Sequence, residues 1–202
     1  KSLQKKFFTE NKIPTAKFWH FKSLQDYNSS SVKNEIKFPC VWKKTKFGYD
    51  GFGVEIINSS NDFEKLPETE FIIEELISFK KEIATTIARN ESGQIEVFPV
   101  VEMIFNEISN QVEYVICPAQ INDDIKDKAK EIALNVSKSF EQIGLLAVEM
   151  FLTNDNKILV NEVAPRPHNS AHYSIEACTN SQFEQHIKSI LDLPLGCSKS
   201  NI

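Results

Sequence analysis

The chain has 202 residues, a formal net charge of −5 and a hydrophobic content of 41%. These totals are typical of a globular protein with a sizeable core, and the mild acidity is not the electrostatic footprint of a nucleic-acid-binding protein. The chain has no apolar run long enough to span a membrane, no signal-peptide pattern and no CxxC pair among its four cysteines, so we expect reduced thiols and a cytoplasmic location.

Hydrophobic patterning predicts strands through the middle of the chain, with helices between them. The helices are predicted at residues 2–11, 62–66, 123–143 and 181–191, and the strands at residues 38–42, 54–57, 70–77, 80–89, 97–105, 112–117, 145–152 and from 158 onward. Residues 26–35 are rich in Ser and Asn and are typical of a loop or a weak helix. In the last helix, Phe183, Ile187 and Ile190 share one face with Leu191. Strands that run without regular βαβ alternation predict an α+β fold.

A segment of lysines and glycines follows the strand at residues 38–42. Its lysines are Lys43, Lys44 and Lys46, and its glycines are Gly48, Gly51 and Gly53. Glycines let a backbone approach a ligand closely and expose its N–H groups, so this loop would suit a polyphosphate. The spacing matches neither a Walker A loop nor a dinucleotide fingerprint, and a glycine-bearing hairpin turn is the alternative.

The predicted strands at residues 70–77 and 80–89 both contain glutamates that could contact a nucleotide. The strand at residues 70–77 changes character at Glu74, where an extended backbone can present alternating N–H and C=O groups to an adenine edge. Glu82 lies beyond this hinge and can accept hydrogen bonds from ribose hydroxyls. The alternative is that these glutamates belong to ordinary surface strands.

Two carboxylates lie inside the last two predicted strands. If Thr153 pairs with Ile158 across a four-residue loop, Glu149 and Glu162 face each other on the same side of the sheet. Facing like charges are destabilising, so the pair requires a cation, and carboxylates beside Asn161 suit Mg²⁺ completed by water and a substrate phosphate. The alternative is that one or both glutamates are exposed on a half-solvated sheet.

A polar segment follows Glu162. Arg166 lies between Pro165 and Pro167, which stiffen its backbone, and a guanidinium can grip a carboxylate or phosphate through two hydrogen bonds. His168 and Asn169 follow directly. The cluster predicts a site for an anionic substrate, and a loop fastened by polar hydrogen bonds is the alternative.

Together these features resemble the ATP-grasp enzymes, which hold MgATP between two α+β lobes. Within that group, Gly48-Tyr-Asp-Gly-Phe-Gly53 and Glu162-Val-Ala-Pro-Arg-Pro-His-Asn-Ser are similar to the N5-carboxyaminoimidazole ribonucleotide synthetases of purine biosynthesis. The resemblance covers residues 1–196 and implies a small lobe at about 18–76, a large lobe at about 77–196 and a tail at 197–202. The flanking N- and C-terminal domains of that family have no counterpart here, so we expect a fragment of a longer polypeptide.

The resemblance implies that ATP and bicarbonate carboxylate 5-aminoimidazole ribonucleotide through carboxyphosphate, in an enzyme that tends to be a homodimer. The implied ATP contacts are Lys43, Gly48, Tyr49, Asp50, Gly51, Phe52, Gly53, Val54, Glu74, Glu75, Leu76, Ile77, Glu82, Asn161 and Glu162. The implied catalytic residues are Asp50, Arg166, His168 and Asn169, with Tyr49 also facing the substrates. The implied Mg²⁺ ligands are Glu149 and Glu162.

Two positions depart from the family pattern. Phe47 replaces a usual glycine, and Phe105 replaces a usual histidine near the nucleotide, which weakens one ATP contact. The alternatives are a non-catalytic nucleotide-binding fragment and another ATP-grasp ligase, such as the formate-using glycinamide ribonucleotide transformylase.

Overall fold

The computed structural model of the chain describes residues 1–46, 52–106 and 111–201. Within them the helices are α1 (Ser2–Glu10), α2 (Leu24–Ser29), α3 (Asp123–Phe140), α4 (Ser174–Ala177) and α5 (Gln182–Ile190), with 3-10 turns at Ser31–Glu35, Ser60–Lys65 and Asn169–Ala171. The strands are β1 (Phe18–Phe21), β2 (Cys40–Lys44), β3 (Val54–Ile57), β4 (Phe71–Glu75), β5 (Phe79–Arg89), β6 (Ile95–Val97), β7 (Val101–Phe105), β8 (Val112–Ile116), β9 (Gly144–Thr153) and β10 (Ile158–Ala164). The predicted α+β class is confirmed.

The strands form two antiparallel sheets, each with its own core. The four-stranded sheet has the order β1-β4-β2-β3 and buries Trp42 and Phe71 against Tyr27 and Phe63. The six-stranded sheet has the order β10-β9-β5-β7-β8, with β6 also paired to β5. Helices α1 and α3 cover one face of it, and Phe8 is fully buried there. The chain passes from one sheet to the other between β4 and β5.

Two predicted elements are shorter or divided. Helix α3 ends at Phe140 rather than at residue 143, because Glu141 adopts a left-handed conformation with φ of 51°, and Ile143 is left 50% exposed. The strand predicted at residues 97–105 is two strands, β6 and β7, separated around Pro99, which has no N–H to donate to a ladder. In the part of the chain that is described, no helix combines the length and apolar character that a membrane span requires.

Helix α5 presents its apolar face outward. Phe183, Ile187 and Ile190 are 40–55% exposed, whereas Gln182 and Gln185 are fully buried. The two buried amides hold neighbouring loops, since Gln182 bonds the backbone of His168, and Gln185 bonds the backbone of Gly196. The inner face of this helix is therefore selected by hydrogen bonding rather than by hydrophobicity.

Candidate functional site

The hairpin of β9 and β10 brings Glu149 and Glu162 face to face. Val160 pairs with Met150, but Glu162 pairs with Glu149, so the register shifts by one residue at Asn161. This is a β-bulge, in which two residues of one strand oppose one residue of its partner. The prediction that the two glutamates face each other is confirmed.

The predicted pairing at the turn is wrong. Ile158 pairs with Leu152, not with Thr153. The Thr153 N–H donates to the Lys157 carbonyl at 2.9 Å, and Asn156 takes the left-handed conformation with φ of 63°, which closes a three-residue loop. The shorter loop sets a register one residue away from the expected one, and the bulge restores the facing glutamates.

The bulge also turns two consecutive side chains, Asn161 and Glu162, toward one cavity. A regular strand would send them to opposite faces. The Lys43 ammonium of β2 donates to Asn161 Oδ1 at 2.9 Å and to Glu74 Oε2 at 3.0 Å. Lys43 therefore connects a residue of the four-stranded sheet to a residue of the six-stranded sheet.

A cavity of about 670 Å³ lies between the two sheets. Most of the site residues expected from the sequence line it: Lys43, Phe52, Val54, Glu74, Glu75, Leu76, Ile77, Glu82, Glu149, Asn161, Glu162, Arg166, His168 and Asn169. Phe105 also lines the cavity. Gly53 does not line it; φ at Gly53 is 77°, and its carbonyl accepts from the Lys44 N–H at 2.9 Å. Phe47, Gly48, Tyr49, Asp50 and Gly51 lie outside the described residues.

Three carboxylates in the cavity carry unequal proton affinities. Burial raises the pKa of Glu149 to about 8, and the negative charges of Glu162 and Glu82 add to the shift. Burial likewise raises the pKa of Glu82 to about 7, with Lys43 opposing it. Burial also disfavours the ionised form of Glu162, but the positive charges of Lys1 and Lys43 outweigh burial and lower its pKa. The cluster thus holds more carboxylates than its cations neutralise.

His168 is aimed at this cluster by its loop. Its Nε2 lies 3.3 Å from Glu149 Oε1. Its Nδ1 accepts from the Ser170 N–H at 3.4 Å, an arrangement that assigns the proton to Nε2, facing the carboxylate. Gln182 fixes the loop because its amide accepts from the His168 N–H and donates to the His168 carbonyl, both at 2.9 Å.

Arg166 and Asn169 lie at the exposed side of the cavity. The Arg166 guanidinium donates to the Pro167 carbonyl at 3.0 Å, and both Arg166 and Asn169 are exposed. Their side chains are placed to meet a ligand that enters from solvent.

Helix α1 and the residue before it supply two lysines that the sequence analysis did not assign to the site. The Lys1 ammonium forms an ion pair with Glu162. The Lys5 ammonium lies 3.4 Å from Glu74 Oε2, and the Lys5 side chain is 3% exposed. One signal was available, since Lys5 precedes the buried Phe8 by three residues and therefore lies on the inner face of the helix.

The donor set fits a divalent cation that shares its ligands with a substrate. Among the residues that the structure describes, no group of three or more His, Cys, Asp or Glu side chains is arranged to hold a metal ion. Glu149 and Glu162 offer two facing carboxylates whose oxygens line the same cavity. Mg²⁺ is commonly held by one or two carboxylates, with phosphates and water completing its shell.

Comparisons with known proteins relate these features to one group of proteins. The sequence matches the ATP-grasp domain over residues 6–183. The N5-carboxyaminoimidazole ribonucleotide synthase of Bacillus subtilis (strain 168) is 40% identical over 181 residues, which cover 84% of this chain and 47% of that protein.

Solved structures with the same architecture include the N5-carboxyaminoimidazole ribonucleotide synthetase from Thermotoga maritima, with a TM-score of 0.85 and 44% identity over 100% of this chain and 51% of that one. The N5-carboxyaminoimidazole synthase from Aspergillus clavatus, in complex with ADP and 5-aminoimidazole ribonucleotide, has a TM-score of 0.88 and 29% identity over 98% of this chain and 53% of that one. The chain spans about half the length of these proteins.

Proposed function

The chain belongs to the ATP-grasp family, and on that premise we propose that it is the nucleotide-binding portion of an ATP-dependent carbon–nitrogen ligase. The reaction is the carboxylation of 5-aminoimidazole ribonucleotide by bicarbonate in purine biosynthesis, with carboxyphosphate as the activated intermediate. The observation that carries the proposal is the convergence of Glu149, Glu162, Asn161 and Lys43 on one cavity between two sheets. A polyphosphate and a divalent cation together would satisfy this set of charges.

Residues of the four-stranded sheet, the hinge and β5 bind the nucleotide. Lys43 meets a phosphate with its ammonium, while the extended backbone of Glu74, Glu75, Leu76 and Ile77 faces the adenine and Glu82 of β5 faces the ribose. Phe52 and Val54 line the same cavity from the glycine loop and β3. Tyr49 and Asp50 of that loop complete the contacts in this proposal, as the family resemblance implies.

Glu149 and Glu162 hold Mg²⁺. The ion would supply positive charge that offsets the negative charge developing during phosphoryl transfer. Glu149 gives up its proton when the ion binds, since metal ligands must be deprotonated. The His168 Nε2–H remains directed at Glu149 and keeps that carboxylate in position.

Arg166, His168 and Asn169 bind the other two substrates, bicarbonate and 5-aminoimidazole ribonucleotide. All three residues line the cavity, and Arg166 and Asn169 lie at its exposed side, where bicarbonate and an anionic ribonucleotide can approach the terminal phosphate. Water excluded from the closed site cannot hydrolyse a labile acyl phosphate. We place this reaction in the cytoplasm and propose that the whole protein is a homodimer.

The proposal is tested first by calorimetric titration of MgATP into the chain, repeated with excess EDTA. We expect binding that EDTA weakens strongly. Phosphate release is then measured in the full-length protein, with and without bicarbonate and 5-aminoimidazole ribonucleotide. We expect release that requires both compounds and that falls by about a hundred- to a thousandfold in Glu162→Gln, the loss expected when one electrostatic contact of the reacting centre is removed.

The matched control is Glu64→Gln, which removes an exposed carboxylate of the turn Ser60–Lys65 and should leave the rate unchanged. Phosphate release that ignores the ribonucleotide would contradict the proposed substrate. Release supported by formate and glycinamide ribonucleotide would instead assign the chain to a transformylase. Nucleotide binding without any phosphate release in the complete mixture would leave a binding module.

A further inference from the structure

Lys5 connects the two sheets next to the nucleotide cavity. Helix α1, which carries it, packs on the core of the six-stranded sheet through Phe8, and Gln4 Nε2 donates to the Val163 carbonyl of β10 at 2.9 Å. The Lys5 ammonium nevertheless lies 3.4 Å from Glu74 Oε2, and Glu74 belongs to β4 of the four-stranded sheet. The ion pair therefore crosses from one sheet to the other.

The position of the Lys5 ammonium is fixed from both sides. It donates to Thr15 Oγ1 at 2.8 Å, and that hydroxyl donates to the Val160 carbonyl of β10 at 2.7 Å. The side chains of Lys5 and Glu74 are each 3% exposed. A buried lysine without a counter-ion would be costly, so Glu74 and Thr15 together determine where this charge lies.

Glu74 has a second cationic neighbour, the Lys43 ammonium at 3.0 Å. Two ammonium groups thus share one buried carboxylate, and the group of three carries a net positive charge. Were Lys5 neutral, the single carboxylate of Glu74 would balance Lys43 alone, and less of the Lys43 charge would be available to a bound phosphate. Burial lowers the pKa of Lys5 to about 8 while Glu74 opposes the shift, so the ammonium is still mostly charged at pH 7.

We propose that Lys5 is a positioning residue for the nucleotide: by sharing Glu74 it leaves the positive charge of Lys43 available to the polyphosphate. This inference rests on the proposed function of the same site. It assigns Lys5 no contact with the ligand. Its effect is transmitted through Glu74 and Lys43.

If Lys5 acts through the charge of Lys43, its loss should weaken the binding of ligands that carry phosphates and leave the binding of ligands without phosphates nearly unchanged. Lys5→Met should weaken MgATP binding about tenfold, which corresponds to about 1.4 kcal/mol. Adenosine has no phosphate, so its affinity should change less than twofold. Lys5→Arg keeps the charge and should bind MgATP within about threefold of the wild-type chain, an expectation from the retained charge alone.

The experiment measures MgATP by calorimetry at pH 7, and adenosine by displacement of a fluorescent nucleotide, for the wild-type chain and each variant. Lys6→Met is the matched control, because Lys6 is the exposed neighbour of Lys5 on the same helix, and this variant should bind like the wild type. Thermal unfolding reports whether each variant folds. If Lys5→Met does not fold, Lys5→Gln replaces it, since an amide can still bond Thr15 and Glu74 without carrying charge.

Two results would overturn the inference. One is MgATP binding by the neutral variant at wild-type affinity. The other is an equal loss of MgATP and adenosine binding that Lys5→Arg does not restore, which would give Lys5 a purely structural role. A wild-type chain that binds no MgATP would instead contradict the proposed function itself, and is recognised before any variant is tested.

Discussion

Glu149 of β9 lies directly opposite Glu162 of β10, and a one-residue bulge at Asn161 produces this relationship. The bulge places Asn161 on the same side, within 2.9 Å of the Lys43 ammonium. A facing pair of partly buried carboxylates is unfavourable without a counter-ion, so this arrangement is typical of a site that is completed by a ligand.

Binding of MgATP should release a proton at pH 7. The pKa of Glu149 is raised to about 8, so the carboxyl is mostly protonated in the free chain and must ionise to bind a metal ion. Titrations of the wild-type chain in two buffers with different ionisation enthalpies should show a net release of protons on MgATP binding. Glu149→Gln should abolish most of this release, and an unchanged release in that variant would show that the proton comes from another group.

Glu82 should make the chain less stable as the pH rises from about 4.5 to about 7. Burial raises its pKa from the model-compound value of 4.5 to about 7, so the folded chain binds this proton more tightly than the unfolded chain does. The resulting stabilisation is complete below pH 4.5 and is lost as the pH rises through 7. The free energy of unfolding of Glu82→Gln, measured relative to that of the wild type, should therefore rise between pH 4.5 and pH 7. Above pH 7 the difference should stay constant.

Urea denaturation at pH 4.5, 5.5, 6.5 and 7.5 in the presence of EDTA measures this difference. Glu64→Gln, at an exposed position, serves as the control and should show no such trend. A constant difference between Glu82→Gln and the wild type would contradict the raised pKa.

Gly144 should tolerate alanine less well than Gly93 does. Both glycines have positive φ, 102° and 85° respectively, so alanine is strained at either position by about 1–2 kcal/mol. A Cβ at Gly144 would also lie 3.1 Å from the His186 ring, whereas a Cβ at Gly93 meets nothing within 4 Å. Chemical denaturation should show a larger loss for Gly144→Ala, and equal losses would mean that the His186 ring moves aside.

The buried amides of α5 should contribute more to the free energy of unfolding than the apolar residues on its outer face. Gln185→Ala removes bonds to the Gly196 N–H at 3.0 Å and to Ser198 Oγ at 2.8 Å, leaving buried groups unpaired. We expect a loss of about 2–4 kcal/mol in the free energy of unfolding. Ile187→Ala truncates a 54% exposed side chain on the same helix and should cost less than about 1 kcal/mol. The reverse order would indicate that this apolar face is covered in solution.

Sequence patterns predicted the α+β class, most of the strands and the family, and the match to the ATP-grasp domain confirms the family. These features can be predicted because they depend on local periodicity and on short motifs, both of which are visible in a single sequence. The facing of Glu149 and Glu162 was also predicted, although from a turn pairing that proved wrong. The loop is one residue shorter than predicted, which shifts the register by one residue, and the bulge at Asn161 shifts it back by one residue.

Which polar groups are buried depends on contacts between residues that are far apart in the sequence. Lys5 is buried because Glu74, 69 positions away in sequence, comes within 3.4 Å of it. The apolar stripe of α5 is outward because Gln182 and Gln185 meet backbone groups of distant loops. Hydrophobic periodicity shows which face of a helix or strand is apolar and which is polar. The partners that hydrogen-bond a buried charge or amide come from elsewhere in the chain. Their positions are fixed only when the two sheets pack.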